Sequence, residues 1–372
     1  MTHLPAPHRL IAYGWDEAAA DAFAPYESEG LIPARIARVD RGSCIALTEA
    51  GPVRATTARL AAADRAAGRT ADLARLPCTG DWAALEPGER FAVRALLPRR
   101  TAFLRSASSK RSEGQVIAAN VDHAVIAVSL AEASAADIEP ARLERLLSLA
   151  WSSGAQPLVA LTKADLVEDP VVLGHLVDDV EELAPGTAVL AVSAATGAGV
   201  PQVAAALSTG TSVLLGASGA GKSTLANALL GEGTQRVHEV RDADGKGRHT
   251  TVSRDLLPLP GGGVLIDTPG LRGVGLWEAD DGLGQVFAEI GELAARCRFH
   301  DCTHTAEPGC AVLAALEDGE LHPRRLDSYR KLQRENARIA ARTDLRVQAD
   351  RRRDWKRRDA AEREARARKG RG

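Results

Sequence analysis

The chain has 372 residues, of which 45% are apolar, 26% charged and 3% aromatic, and its formal net charge is −2. That length predicts two or three domains with room for packed cores, and no stretch approaches the roughly 18 uncharged apolar residues that a membrane helix requires. Asp16 and Glu17 interrupt the first twenty residues, and five cysteines are too few and too scattered for a disulfide framework, so no secretory leader and no membrane partner are expected and the expected setting is cytoplasmic.

In chain order, an N-terminal extension (1–30) precedes a region, 31–105, of short apolar runs. Leu31–Val39, Ser43–Thr48, Pro52–Thr57 and Phe91–Leu97 read as strands, separated by turn-forming Asp40-Arg41-Gly42, Glu49-Ala50-Gly51 and Glu86-Pro87-Gly88. Closely spaced short strands predict a small barrel, with an OB-like barrel as one option. A polar linker (106–114) follows, and then strands alternate with helices over 115–276. Apolar runs at Ala124–Val128, Leu158–Leu161, Val189–Val192, Val213–Leu215 and Val264–Ile266 predict a parallel-rich sheet covered on both faces. Between the first two, Leu143, Leu146, Leu147 and Ala150 share one helical face. Residues 277–350 read as a helical domain and 351–372 as a basic tail, so the fold class is multidomain α/β.

Motifs follow the strands of the middle region, where ligands of such sheets collect. Thr162-Lys163-Ala164-Asp165 follows the second run, and an Asp165 carboxylate can accept from the N1–H and the amine of guanine, a donor pair that adenine lacks. Ser193-Ala194 ends the third, where a backbone amide can meet the guanine oxygen. Gly216-Ala217-Ser218-Gly219-Ala220-Gly221-Lys222-Ser223-Thr224 fits a phosphate-binding loop. Its glycines let backbone N–H groups converge on an anion, Lys222 reaches the β- and γ-phosphates, and Ser223 is placed for Mg²⁺. Gly247-Arg-His249-Thr250-Thr251 offers a switch threonine for the metal, with Thr250 and Thr251 equally placed. Asp267-Thr-Pro-Gly270 offers a metal-positioning carboxylate and a γ-phosphate-sensing amide. The order is base, base, phosphate, switch I, switch II, a closed rotation of the usual GTPase order. Where many GTPases carry a water-orienting Gln, this chain has Leu271, so His249 or a partner is expected to take that role and intrinsic hydrolysis to be slow.

Beyond the sheet, Cys297, Cys302, His304 and Cys310 form a Cys₃His set that suits one structural Zn²⁺ and leaves no open coordination position. From Arg324 to the end, 19 Lys/Arg stand against 8 Asp/Glu, a basic arm on an otherwise acidic body, which suits a polyanion such as nucleic acid. No long heptad pattern occurs, and a monomer is expected.

Together these residues resemble the circularly permuted bacterial GTPases of small-ribosomal-subunit biogenesis, the RsgA or YjeQ family. Beside the motifs above, Gly80-Asp-Trp82, Leu97-Pro-Arg-Arg-Thr101, Gly275-Leu-Trp277 and Glu307-Pro-Gly309 carry the likeness, which spans most of the chain. It implies an N-terminal OB domain, a permuted G domain that uses GTP/GDP with Mg²⁺, and a C-terminal zinc domain. It further implies binding to the 30S subunit and its 16S rRNA, subunit-stimulated GTP hydrolysis coupled to release, and a part in late maturation of the decoding region. The family's usual Gln after the first loop glycine is Ala217 here, and the Arg-rich tail beyond Asp350 is the part the likeness explains least. Two other readings remain open at the level of sequence: a zinc-containing RNA-binding module with a structural nucleotide site, and a P-loop ATPase or small-molecule kinase.

Overall fold

In the computed structural model, residues 8–60, 62, 76–106, 114–131, 138–231, 255–267 and 280–338 are described. Two short helices, α1 (His8–Ile11) and α2 (Glu17–Glu27), lead in, and the Asp16 side chain caps α2 by accepting from Ala19 N at 2.9 Å. Strands β1 (Ile32–Asp40), β2 (Ser43–Thr48), β3 (Gly51–Thr56), β4 (Trp82–Glu86) and β5 (Phe91–Leu96) close into a barrel in the order β1-β2-β3-β5-β4. Only the β3–β5 pair is parallel, as in an OB-like barrel. The expectation of a small barrel holds, but β4 escaped the sequence reading. Its Trp-Ala-Ala-Leu-Glu favours helix by local propensity, and the barrel overrides that preference by burying Trp82 through Leu85.

Strands β6 (Ala102–Ser106) and β7 (Gly114–Ala119) pair antiparallel across the polar segment read as a linker. The main sheet follows: β8 (His123–Ser129), β9 (Gln156–Thr162), β10 (Ala188–Val192), β11 (Thr211–Gly216), β12 (Asp255–Pro258) and β13 (Val264–Asp267), in spatial order β10-β9-β8-β11-β13-β12. All its pairs are parallel except β12–β13. The strands read as unbroken apolar runs because alternate residues feed two different cores. Val125, Leu158, Ala160, Leu214 and Leu265 point to one face, with α5 (Val200–Ala206) and α6 (Lys222–Leu230). Ile126, Val159, Leu161, Val213, Leu215 and Ile266 point to the other, with α3 (Pro140–Ser152) and α4 (Pro170–Leu183).

The second core continues without a break into α7 (Asp280–Val286), α8 (Ala288–Ala294), α9 (Ala311–Glu317) and α10 (323–338), through Leu283, Phe287, Ile290, Val312 and Leu326. A buried ion cluster reinforces that joint. The fully buried Glu144 of α3 accepts from Arg324 at 3.0 Å, from Arg325 at 2.8 Å and from the Ser328 hydroxyl. Arg325 also binds Glu289 at 2.6 Å and lies 4.5 Å from the Phe287 ring centroid. Gly282 must be glycine here, since a Cβ would strike the Ser148 carbonyl of α3.

At the other end, Arg35 of β1 fixes the barrel to the sheet. Its fully buried guanidinium donates to the carbonyls of Tyr13 and Asn120, both at 3.2 Å, and to the Thr211 hydroxyl at 2.9 Å. Asn120 adopts a left-handed φ of 52°, receives Arg100 N at 3.0 Å and donates to the Gly80 carbonyl at 3.0 Å. Gly80 has a φ of 93°, and any Cβ there would collide with the Ala119 carbonyl. Asp122 accepts from Thr211 N at 2.7 Å, which pins the start of β11 to β8. Replacing Arg35 with Met leaves buried acceptors at Asn120 and Thr211 unpaired and should cost about 2–4 kcal/mol of stability. Chemical denaturation is expected to show a lower midpoint at unchanged slope, and an unaltered midpoint would refute this role for the guanidinium.

Candidate functional site

Three loops leave the carboxyl ends of parallel strands on one edge of the sheet: Thr162–Asp165 after β9, Ser193-Ala194 after β10, and Gly216–Lys222 after β11. Because β9 and β11 both flank β8, the base-reading and phosphate loops converge over the end of β8. The contact between them is direct. Thr162 is buried, and its hydroxyl lies 2.9 Å from the Ala220 carbonyl and 3.2 Å from that of Val128. A Cβ on Gly221 would meet that hydroxyl at 3.3 Å, so the glycine at this point gives the clamp its room.

The loop geometry follows from its glycines. Gly216 has a φ of 138° and a Cβ there would run into the Ala127 carbonyl, while Gly221 caps α6 with a φ of 76°. Lys222 donates from Nζ to the carbonyls of Gly216 at 3.0 Å and Ala217 at 2.5 Å, bringing its ammonium to the mouth of the loop. Ser218, Gly219, Ser223 and Thr224 are exposed, and Ala220 is buried. Loop amides and the α6 N-terminus together suit an anion. A cleft of about 380 Å³ opens beside the loop, lined by Ala217 to Ala220, Lys163, Ser129 and Arg142. Ser129, at the end of β8, and Arg142, on α3, were not singled out in the sequence. The only signal was a strand ending in serine.

Lys163 takes a left-handed φ of 59° ahead of the short 3-10 turn Ala164–Leu166, in which Ala164 is half-buried and Asp165 exposed. Ser193 is buried and forms a compact turn, with its N–H donated to Ala198 O at 2.8 Å and its hydroxyl accepting from Thr196 N at 3.2 Å. That turn sets the half-buried Ala194 beside the base-reading loop. Asp267 ends β13, next to β11, and its backbone pairs with Asp255. His249, Thr250, Thr251 and Gly270 lie outside the described residues, as do Leu271 and Gly275–Trp277.

The Cys₃His set is brought together. Donor atoms of Cys297, Cys302, His304 and Cys310 all lie within 4.8 Å of one another. Cys297 Sγ is 3.9 Å from Cys310 Sγ and 3.7 Å from His304 Nδ1, and Cys310 Sγ is 3.5 Å from that nitrogen. Zinc–ligand bonds of about 2.0–2.3 Å at tetrahedral angles require donor separations of roughly 3.5–3.8 Å, so these spacings suit a tetrahedral ion. Burial lowers the His304 pKa and favours the neutral, ligating imidazole. Glu307 braces the loop between ligands: its carboxylate takes the Thr303 hydroxyl and the amides of Thr303, Thr305 and Ala306 at 2.9, 2.7 and 3.0 Å. These donors, the Thr303 hydroxyl first, hold its pKa far below the usual carboxylate range.

A model of the RsgA GTPase family matches residues 96–277. Over 353 residues, 94% of this chain and 93% of the relative, the sequence is 62% identical to the small ribosomal subunit biogenesis GTPase RsgA of Streptomyces coelicolor. The fold is similar to that of YjeQ from Thermotoga maritima, with a TM-score of 0.60 and 24% identity over 82% of this chain and 99% of that one. It is also similar to YloQ, a circularly permuted GTPase, with a TM-score of 0.58 and 23% identity over 82% of this chain and 95% of that one.

Structural zinc contributes about 10–16 kcal/mol of apparent binding free energy at neutral pH. Purified protein should therefore retain one equivalent through gel filtration, and Cys310→Ser should lose it and melt earlier. Elemental analysis finding no zinc in the parent protein would rule the assignment out.

Proposed function

Because the chain belongs to the RsgA GTPase family, we propose that it binds GTP, hydrolyses it when engaged with the small ribosomal subunit, and thereby assists late maturation of that subunit. The observation that carries the reading is the hydrogen bond from Thr162 to Ala220, which makes the base-reading and phosphate loops parts of one site. In that site Asp165 accepts from guanine, Lys163 packs along the base, and the Ala194 amide, after Ser193, meets the guanine oxygen. The amides from Gly216 through Thr224 surround the phosphates, and Lys222 neutralises the β- and γ-oxygens. Ser223, Asp267 and one of Thr250 or Thr251 would hold Mg²⁺, whose charge would offset that of the phosphates, and the Gly270 amide would sense the γ-phosphate.

With Leu271 after the Asp267–Gly270 element, the chain lacks the usual group for orienting water, so His249 or the bound subunit supplies it. The domain assignment follows the same reading: barrel over 31–105, permuted G domain over 115–276, zinc-bearing helical domain over 277–350, and a basic tail that favours 16S rRNA in a cytoplasmic setting.

Turnover of GTP and ATP, each with and without purified 30S subunits, tests the proposal. GTP alone should turn over at roughly 10⁻³ s⁻¹ or slower, as in GTPases without an activating group, and subunits should raise the rate while ATP stays inert. Asp165→Asn should weaken GTP by at least about a hundredfold and admit xanthosine triphosphate, because an amide donor suits the 2-oxo group. Equal hydrolysis of ATP, or a rate indifferent to subunits, would overturn the reading.

A further inference from the structure

Among the described residues, one aromatic ring is exposed while the others are buried or half-buried. Phe23, Phe103 and Phe287 are buried and Phe91 is half-buried, whereas Phe299 is 41% exposed. Phe299 lies between two metal-site cysteines, in the turn Arg298-Phe299-His300-Asp301, all of whose residues are exposed. The turn is tied down by its backbone. Cys297 and Cys302 bracket it, Cys302 N donates to the Phe299 carbonyl at 3.3 Å, and Arg298 N donates to the Gly309 carbonyl at 3.1 Å.

The neighbouring cation is positioned as well. The Arg298 guanidinium carbon stands 5.5 Å from the Phe299 ring centroid, within cation–π range. Its aliphatic stem packs against Gly309, where an added Cβ would crowd Arg298 Cβ at 3.1 Å and Cδ at 3.4 Å. Gly309 thus leaves room for an arginine that shares the aromatic surface. His300 and Arg296 are exposed nearby, and Asp301 is the one carboxylate in the turn.

An exposed ring costs solvation free energy that folding does nothing to recover. The combination of ring, flanking guanidinium and rigid turn matches the stacking platforms that take unpaired bases, where the ring covers the base and the arginine meets the adjoining phosphate. We propose that Phe299 and Arg298 form a docking site for a single unstacked RNA base. The inference rests on the ribosomal reading above for the source of that base. The cationic flank favours RNA over an apolar protein pocket, which has no use for Arg298 beside the ring.

The test compares Phe299→Trp, Phe299→Leu and Phe299→Ala with the parent protein, each checked for one equivalent of zinc and unchanged basal GTP turnover. Affinity is measured for 30S subunits and, separately, for a fluorescent single-stranded RNA 12-mer. Leu and Ala should each weaken both by about 5- to 150-fold, the range for one base stack, while Trp should match or exceed the parent. Leu binding as tightly as Phe would overturn the proposal in favour of an apolar protein contact, and equal binding by all variants would overturn it outright. If the parent ignores subunits yet binds the 12-mer in a Phe299-dependent way, the ribosomal reading fails and the base site stands. If the 12-mer is bound without regard to residue 299, the base site fails alone.

Discussion

The geometry of the molecule depends on one buried guanidinium. Arg35 has no carboxylate among its hydrogen-bond partners: two carbonyls and a hydroxyl receive it, and the Trp82 ring lies 4.6 Å from its carbon. Burial lowers its pKa to about 10, chiefly through desolvation and against the pull of Asp122 and Asp81. It therefore stays charged at neutral pH, with the charge spread over dipoles and a π face. The three acceptors come from the turn between the leading helices, the corner before β8 and the first residue of β11. One side chain thus sets where the barrel stands relative to the strand that carries the phosphate loop.

The C-terminal domain is fixed by the opposite arrangement, a buried carboxylate on the sheet side and arginines on the incoming side. Glu144 and its partners grip α3, and the same helix carries Arg142 and Leu143 to the cleft beside the phosphate loop. A buried ion pair adds little net stability over an apolar contact, but it penalises any packing that separates the partners. The α3 helix accordingly links the cleft beside the Gly216–Lys222 loop to the C-terminal helices. It makes this connection independently of the segment that joins β13 to α7.

Much of this was legible in the sequence. The five apolar runs of the sheet were readable because parallel strands are buried on both faces, and the phosphate loop was readable because its backbone requires glycine at particular steps. The clustering of Cys297, Cys302, His304 and Cys310 was readable from their spacing alone. Strand β4 was hidden because alanine and leucine do not announce a strand when tertiary pairing decides the matter. Arg35, Asn120 and Glu144 were hidden for another reason. A polar residue among apolar ones looks alike whether it faces water or a buried partner, and those partners sit 20 to 184 residues away. Asp122 was missed in the same way.

The strand order has a further consequence during synthesis. Strands β8, β9 and β10 emerge first and can pair among themselves, but β8 is a central strand whose other neighbour, β11, begins only at Thr211. Until then the nascent sheet presents an open apolar edge, the kind of surface that invites wrong pairing. Over the same interval Arg35 lacks its Thr211 acceptor, and the barrel, although its own strands are complete, is not yet fully seated. A chain of ordinary GTPase order makes its phosphate-loop strand early. Here that strand arrives late, pairing with β8 and supplying the last acceptor for Arg35 together, so that barrel placement and the Gly216–Lys222 loop mature in a single step.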